Sequence, residues 1–215
     1  AGKPVVAVIT SMAQPLGTHI GNALEVKDAI DVLAGRTQGD LLEISLLLGS
    51  HMLLLAEKAK TLPEARAMLE NALSSGAGLR KLAEMIAAQG GDPRVVEDLS
   101  LLPQAEVKRV MRAEMAGYLS AMDTTALGMA AQRMGAGRAK KSDMLDYSVG
   151  YVLHVRLGDE VTEDTLLATL YARNEAEAEE AEKAIRKALT IAKEKPSVPP
   201  LWDAVVTAEG ITYNR

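Results

Sequence analysis

The sequence predicts two parts: an α/β part with one strand and several helices over residues 1–112, and an α+β part over residues 113–215. The first observation is the apolar run PVVAVI at residues 4–9, which is typical of a fully buried strand. The second is the recurrence of apolar residues at three- and four-residue spacings between residues 23 and 89, which indicates amphipathic helices. The third is a change near Pro103, after which short β-rich runs alternate with turn residues.

In the first part, the opening strand leads into a loop over residues 11–22 that is rich in Gly, Pro and Ser. Asn22 is a favourable N-cap for the helix that follows, and Glu25 brings the pattern close to a capping box. Gly35 suits the end of this helix. Further helices are predicted over residues 39–59, 62–75, 78–89 and, as a short one, from residue 92.

In the second part, the sequence predicts four strands and two helices. The strands are predicted over residues 107–113, 117–122, 148–157 and 165–172, and the helices over residues 124–134 and 174–195. The tail over residues 202–211 is predicted to add an edge strand.

Composition excludes several classes of protein. The net charge of −5 and the lack of a basic stripe argue against nucleic-acid binding. No apolar run approaches the ~18 residues of a membrane span. The lack of cysteine excludes disulfides and thiolate metal sites and favours a cytoplasmic protein. A buried strand with almost nothing before it predicts that the chain is a fragment of a longer protein.

The run SMAQPLGTHIGNALEVKDAI at residues 11–30 carries the most specific signal. It combines a Gln-Pro-Leu-Gly turn with Gly-Asn-Ala-Leu-Glu-Val at the start of a helix, and it resembles the pyrimidine-nucleoside phosphorylase and thymidine phosphorylase family. The resemblance continues, in order, through LGSHM at 48–52, QGGD at 89–92, LLPQA at 101–105, LGMA at 127–130, GAGR at 135–138, VG at 149–150 and LGD at 157–159.

The resemblance implies the carboxyl-terminal half of such an enzyme: the distal part of its α/β domain, then a small hammerhead-like α+β domain. Family members use phosphate to cleave a pyrimidine nucleoside into free base and pentose 1-phosphate, in a cleft between an α domain and a larger α/β domain. Their phosphate loop and the residues that grip the base lie in the amino-terminal half, and no such motif stands in this chain. We therefore expect no catalytic residue in this half and an inactive chain when it is alone. The implied partners are the amino-terminal half, phosphate and nucleoside, with a homodimer once the protein is complete and no organic cofactor.

Two groups of site residues follow from the same resemblance. Thr10, Ser11 and Met12 would border the substrate cleft. The carbonyls of Leu16 and His19 and the side chain of Asp28 would bind K⁺, or Na⁺ or Ca²⁺, as hard oxygen ligands. The chain departs from the family pattern at both ends of this set, because the family usually has Glu in place of Asp28 and a small residue in place of His19. A helix-capping turn is the alternative reading of this stretch.

The remaining alternatives concern other residues and other functions. His51 and His154 are expected to be structural, and Lys140 and Lys141 lie outside any hairpin that would carry a modified lysine. Alternative functions are a non-catalytic binding or scaffold module, an AMP phosphorylase, and a phosphoribosyltransferase relative.

Overall fold

A computed structural model describes residues 2–214 and shows a mixture of helices and strands. The helices are α1 (Asn22–Leu33), α2 (Asp40–Leu55), α3 (Leu62–Ser74), α4 (Ala77–Ala88), α5 (Thr124–Ala131) and α6 (Glu175–Ala188). The strands are β1 (Ala7–Thr10), β2 (His19–Ile20), β3 (Val107–Arg112), β4 (Gly117–Met122), β5 (Gly150–Leu153), β6 (Glu160–Val161), β7 (Leu166–Ala172), β8 (Leu189–Ala192), β9 (Trp202–Thr207) and β10 (Gly210–Tyr213). Short 3₁₀ helices cover Pro93–Val96 and Leu99–Leu101, and a π-helical turn covers Gln132–Ala136. No helix in residues 2–214 is both long and apolar enough to cross a bilayer.

The chain divides into two compact units, each made of discontinuous segments. One contains the residues up to 11, residues 29–97 and those from 199 onward; the other contains residues 12–28 and 98–198. The predicted division at residue 112 differs from this one, because the chain passes between the units at residues 11/12, 28/29, 97/98 and 198/199. As an assignment of family domains it stays a prediction.

The helices of the first unit confirm the prediction from apolar spacing. Thr61 caps α3, because its side chain accepts a hydrogen bond from the backbone N–H of Glu64, and Pro63 lies in the first turn. α2 and α3 pack so closely that a Cβ on Gly49 would lie 2.8 Å from the Leu69 side chain. The core of these helices consists of Val32, Leu42 and Leu46, with Leu41, Leu69 and Leu73 packed against them.

The prediction of the opening strand is wrong in both its extent and its burial. β1 covers Ala7–Thr10, and the side chains of Val5 and Ile9 are 70% and 47% exposed. β1 pairs only on one side, with β9, in a three-stranded antiparallel sheet of order β1-β9-β10. An apolar run indicates a buried strand only when other layers cover both faces of its sheet. The described residues of this unit leave β1 at a sheet edge, with Ile9 exposed and Val8 only partly buried.

The tail also differs from the single edge strand that the sequence predicts. It forms a hairpin of β9 and β10, in which β9 is the central strand because β1 pairs with its other edge. Gly210 follows the two-residue turn with φ of 140°, a conformation that a residue with a Cβ rarely adopts.

The second unit contains two antiparallel sheets, of order β2-β5-β7-β3 and β6-β4-β8. Its core consists mainly of aliphatic side chains together with Tyr151, and α5 and α6 pack against it. The largest fully buried side chains in this core are those of Met111, Leu119, Leu127, Tyr151, Leu153, Leu167, Leu170 and Ile185. The coarse fold class, mixed α and β, is confirmed, whereas the hammerhead-like arrangement stays a prediction.

The last helix is shorter than predicted. α6 ends at Ala188, and the next four residues form β8, which pairs with β4. Leu189 and Ile191 fit the apolar face of a helix by spacing, but in the structure they contribute to a sheet. Tertiary pairing therefore overrides a local helical pattern that is rich enough to continue.

A close backbone contact joins β2 to β5. Gly21 and Gly150 have φ of 136° and 148°, and a Cβ on them would lie 2.5 Å from the Val149 oxygen and 2.2 Å from the Ile20 oxygen, respectively. Both obstacles are backbone atoms within a paired strand region, so they cannot rotate away. Glycine is required at both positions by space as well as by φ.

Replacing Gly150 with alanine should therefore destabilise the second unit severely. We expect Gly150→Ala to lower the free energy of unfolding by about 2 kcal/mol or more, because strain and a backbone clash act together. Urea unfolding followed by circular dichroism measures this change.

Gly128→Ala is the matched control, because Gly128 lies within α5 and a Cβ there meets nothing within 4 Å. This control should be neutral or should stabilise by up to about 1 kcal/mol. Equal losses in the two variants would show that the contact between β2 and β5 is not a tight one.

Candidate functional site

The Gln-Pro-Leu-Gly turn is held from the segment that follows β5. Gln14 accepts a hydrogen bond at its side-chain oxygen from the backbone N–H of Leu157, at 2.9 Å. Asp159 accepts a hydrogen bond at its carboxylate from the backbone N–H of Arg156, at 2.7 Å. The Leu-Gly-Asp motif therefore shapes a turn that presents Arg156 and Leu157 to the Gln-Pro-Leu-Gly motif.

The guanidinium of Arg156 lies against successive carbonyl groups of the same turn. One terminal nitrogen donates to the Pro15 oxygen at 2.7 Å and reaches the Gly17 oxygen at 3.5 Å. The other reaches the Leu16 oxygen at 3.4 Å. The turn thus directs its carbonyl dipoles at a positive charge that belongs to the chain itself.

β2 carries the chain from this turn into α1. His19 and Ile20 pair with Val152 and Tyr151 of β5, and the Thr18 oxygen accepts from the backbone N–H of Leu153 at 2.8 Å. The loop predicted over residues 11–22 therefore contains a strand, β2, that the sequence does not predict. A two-residue strand leaves no periodicity to detect.

The start of α1 is capped differently from the prediction. Asn22 is the first helical residue, and its side-chain amide donates to the Ala136 oxygen at 2.8 Å. Glu25 reaches back to the backbone N–H of Gly21 at 3.3 Å. The glutamate of the predicted capping box therefore acts on the preceding residue, and the asparagine instead ties α1 to the π-helical turn that contains the Gly-Ala-Gly-Arg motif.

The three predicted cation ligands are close in sequence, but two of them already have donors beside them. The Leu16 carbonyl faces Arg156, and the Asp28 carboxylate lies 3.4 Å from Nδ1 of His19. Asp28 is only 4% exposed, and residues 2–214 contain no group of three or more His, Cys, Asp or Glu side chains that could hold a metal ion. The residues present therefore do not fit a bound cation by themselves, and a cation site in the complete enzyme stays a prediction.

The predicted cleft-border residues have different surroundings. Thr10 pairs with Trp202 at the irregular end of β1, and the backbone N–H of Ser11 donates to the Leu201 oxygen at 3.0 Å. Met12 is 80% exposed, and its carbonyl accepts from the Thr124 hydroxyl at 3.2 Å. An exposed methionine held by its backbone is suited to contact a ligand or another chain segment, and the cleft-border role stays a prediction.

Two histidines fit the structural role predicted for them. His51 lies within α2 and is 8% exposed, and in the described part of the chain its Nε2 has no hydrogen-bond partner. Burial lowers the pKa of His51. Nε2 of His154 lies 2.9 Å from the Thr169 hydroxyl, and burial, followed by the nearby Lys108 charge, lowers the pKa of His154. Both shifts favour the neutral form of the ring.

Arg156 is a site residue that the sequence does not predict. It is separated from the Gln-Pro-Leu-Gly turn by roughly 140 residues, so no local spacing connects the two. The available signal is its position directly before the Leu-Gly-Asp motif, which belongs to the same family pattern as the turn.

The comparisons with known proteins agree with the motifs. The sequence profile of the pyrimidine nucleoside phosphorylase C-terminal domain matches residues 118–192. A pyrimidine-nucleoside phosphorylase of Geobacillus stearothermophilus is 48% identical over 174 residues, which are 81% of this chain and 40% of that protein. The enzyme of Bacillus subtilis (strain 168) is matched to the same extent. That of Staphylococcus aureus (strain USA300) is 41% identical over 206 residues, which are 96% of this chain and 47% of that protein. The chain thus spans less than half the length of these relatives.

Because His51 is buried with a lowered pKa, we expect the free energy of unfolding to decrease at acid pH. The pKa of His51 in the folded chain lies below its ordinary value of 6.5, so the unfolded state binds more protons as the pH falls below that value. Stability is therefore full above about pH 6.5 and decreases on acidification. We expect His51→Leu to make the free energy of unfolding depend less steeply on pH between about pH 7.5 and about pH 5. Urea unfolding at several pH values measures this dependence.

His154→Leu provides the comparison, since the pKa of His154 is lowered as well and should account for a separate share of the slope. A pH dependence that is unchanged in both single variants would contradict the assignment of neutral rings.

Proposed function

Since the chain belongs to the pyrimidine-nucleoside phosphorylase family and corresponds to its carboxyl-terminal part, we propose that it serves in the phosphorolysis of a pyrimidine nucleoside. The observation that carries this proposal is the extent of the match. The relative from Staphylococcus aureus covers 96% of the chain, so the similarity includes both the Gln-Pro-Leu-Gly region and the terminal domain.

The proposed reaction is a pentosyl transfer to phosphate. An oxygen of inorganic phosphate forms a bond to the anomeric carbon of the nucleoside, and the carbon–nitrogen glycosidic bond breaks. The bonding electrons leave with the pyrimidine, which is released as the free base after gaining a proton, and the pentose remains as its 1-phosphate. Such a reaction needs donors for the phosphate and stabilisation of charge on the departing base.

We assign a supporting role in this reaction to the chain. Three of its arginines are engaged in structural contacts: Arg109 and Arg186 both contact Glu182, at 2.6 and 2.8 Å, and Arg156 holds the turn. Two of its histidines, His51 and His154, have lowered pKa values and structural surroundings. The groups that bind phosphate and protonate the base are therefore proposed to come from the amino-terminal half, which is also the proposed partner.

Within this assignment, the contribution of the chain is one wall of the substrate cleft. Support comes from the rigid hold on the Gln-Pro-Leu-Gly turn and from the exposed Met12 that precedes it. Thr10 and Ser11 lead into the same stretch with their backbone paired.

The assignment predicts that catalysis requires both halves. The chain alone should release no uracil or thymine from uridine or thymidine beyond a heat-denatured control. A chimera in which this chain replaces the matched part of the Bacillus subtilis relative should release base only when phosphate is present. Chromatographic detection of free base and of pentose 1-phosphate measures both products.

Phosphate-dependent turnover by the isolated chain would contradict the placement of the catalytic groups. A chimera that is folded by circular dichroism but does not cleave either nucleoside would contradict the proposed function. AMP, tested as a third substrate, distinguishes the AMP phosphorylase alternative. Release of base from AMP but from neither nucleoside would indicate a nucleotide-specific relative.

Met12 supplies a test of the cleft border within the same chimera. Met12→Ala should lower kcat/KM by about tenfold, because a few buried methylene and sulfur contacts to a ligand contribute on this scale. Met144→Ala is the matched control, since Met144 is 89% exposed and lies in a loop outside the motif. Equal values of kcat/KM for the two variants would remove Met12 from the cleft.

A further inference from the structure

The guanidinium of Arg156 lies at the turn to which the family resemblance assigns a bound metal ion. We infer that this chain supplies its own positive charge at the Gln-Pro-Leu-Gly turn through Arg156, a positioning residue, while the His19 ring occupies the space beside Asp28, so that the turn is ordered without a metal ion. The inference concerns the folded chain itself and does not require the proposed phosphorolysis.

The first support is the geometry of Arg156. Its guanidinium is directed at the carbonyls of Pro15, Leu16 and Gly17, with the shortest contact at 2.7 Å. Consecutive carbonyl oxygens directed at one point are what a hard cation uses as ligands. In this chain a planar, permanently charged group contacts three consecutive carbonyls, and one of them, that of Leu16, belongs to the predicted ligand set.

The second support is the surroundings of Asp28. This carboxylate is the only acidic side chain in the predicted ligand set, and it is almost fully buried beside Nδ1 of His19 at 3.4 Å. Nδ1 also lies 3.0 Å from the Thr18 hydroxyl, so the ring is held in place between two oxygen groups. A metal ion bound to this carboxylate would have to displace the ring.

The third support is the charge around the turn. An open cavity of about 440 Å³ beside His19 is lined by two cationic side chains, those of Lys27 and Arg156. Its described lining contains no carboxylate. A second cation that approached the turn from this side would meet like charge, which opposes its binding.

Hydrogen exchange at the turn tests the inference directly. Amide exchange of residues 16–20 is measured by NMR in the 215-residue chain, first with tetramethylammonium as the only cation and then with added K⁺, Na⁺ or Ca²⁺. We expect the exchange rates of the native chain to be the same in all four solutions. Arg156→Gln should exchange about tenfold faster at these amides, because it loses charge-assisted hydrogen bonds to the turn.

Two further variants make the result specific. Arg156→Lys retains the charge and should restore most of the protection. Arg112→Gln is the matched control, since Arg112 donates to the Asp164 oxygen at 2.7 Å, away from the turn. It should leave residues 16–20 unchanged.

The inference is overturned if any of the metal ions slows exchange at the turn of the native chain in a saturable manner. It is equally overturned if Arg156→Gln and Arg112→Gln exchange at the same rate there. If Arg156→Gln does not fold, the cation titration of the native chain and the Arg156→Lys variant still decide the question. The phosphorolysis assay is independent of these readouts, so failure of one proposal leaves the other standing.

Discussion

The second unit depends on the close approach of two backbone segments at Gly21 and Gly150. Neither position has room for a Cβ, because each would meet a carbonyl oxygen of the opposite strand at 2.5 Å or less. This contact sets β2 against β5, although almost 130 residues separate them in sequence. On one side of the contact the Gln-Pro-Leu-Gly turn is brought to Arg156, and on the other side Asn22 is brought to Ala136. The requirement for glycine at these two positions therefore positions both the Gln-Pro-Leu-Gly motif and the Gly-Ala-Gly-Arg motif.

How much the sequence predicts depends on whether the determinants are local. The caps and apolar spacing of α3 are local, and the predicted helix agrees with Leu62–Ser74 to within one residue. The end of α6 is not local, since Leu189 leaves the helix to pair with β4. The burial of β1 depends on which layers cover its sheet, and this information is absent from the apolar run itself. The same limit applies to the site: the turn is recognisable as a motif, whereas its contact with Arg156 depends on the fold.

The chemistry of this chain lies in backbone groups more than in acids, bases or nucleophiles. The strongest polar contacts of the motif region join side chains to carbonyls and amides, as Asn22, Arg156 and Gln14 show. Such contacts set the position and direction of dipoles and leave proton transfer to other groups. The family motifs of this chain therefore act, in this structure, by positioning backbone groups.

The pairing of β1 with β9 has a consequence for the order in which the protein folds. Ala7 lies opposite Val206, so β1 can find its partner only after residue 206 has been synthesised. The entropy of closing so long a loop increases only logarithmically with its length, but contacts of this separation form slowly. During translation the second unit has all its segments available first, and the sheet of the first unit is completed last. β1 must therefore stay unpaired with β9 until the end of the chain has left the ribosome.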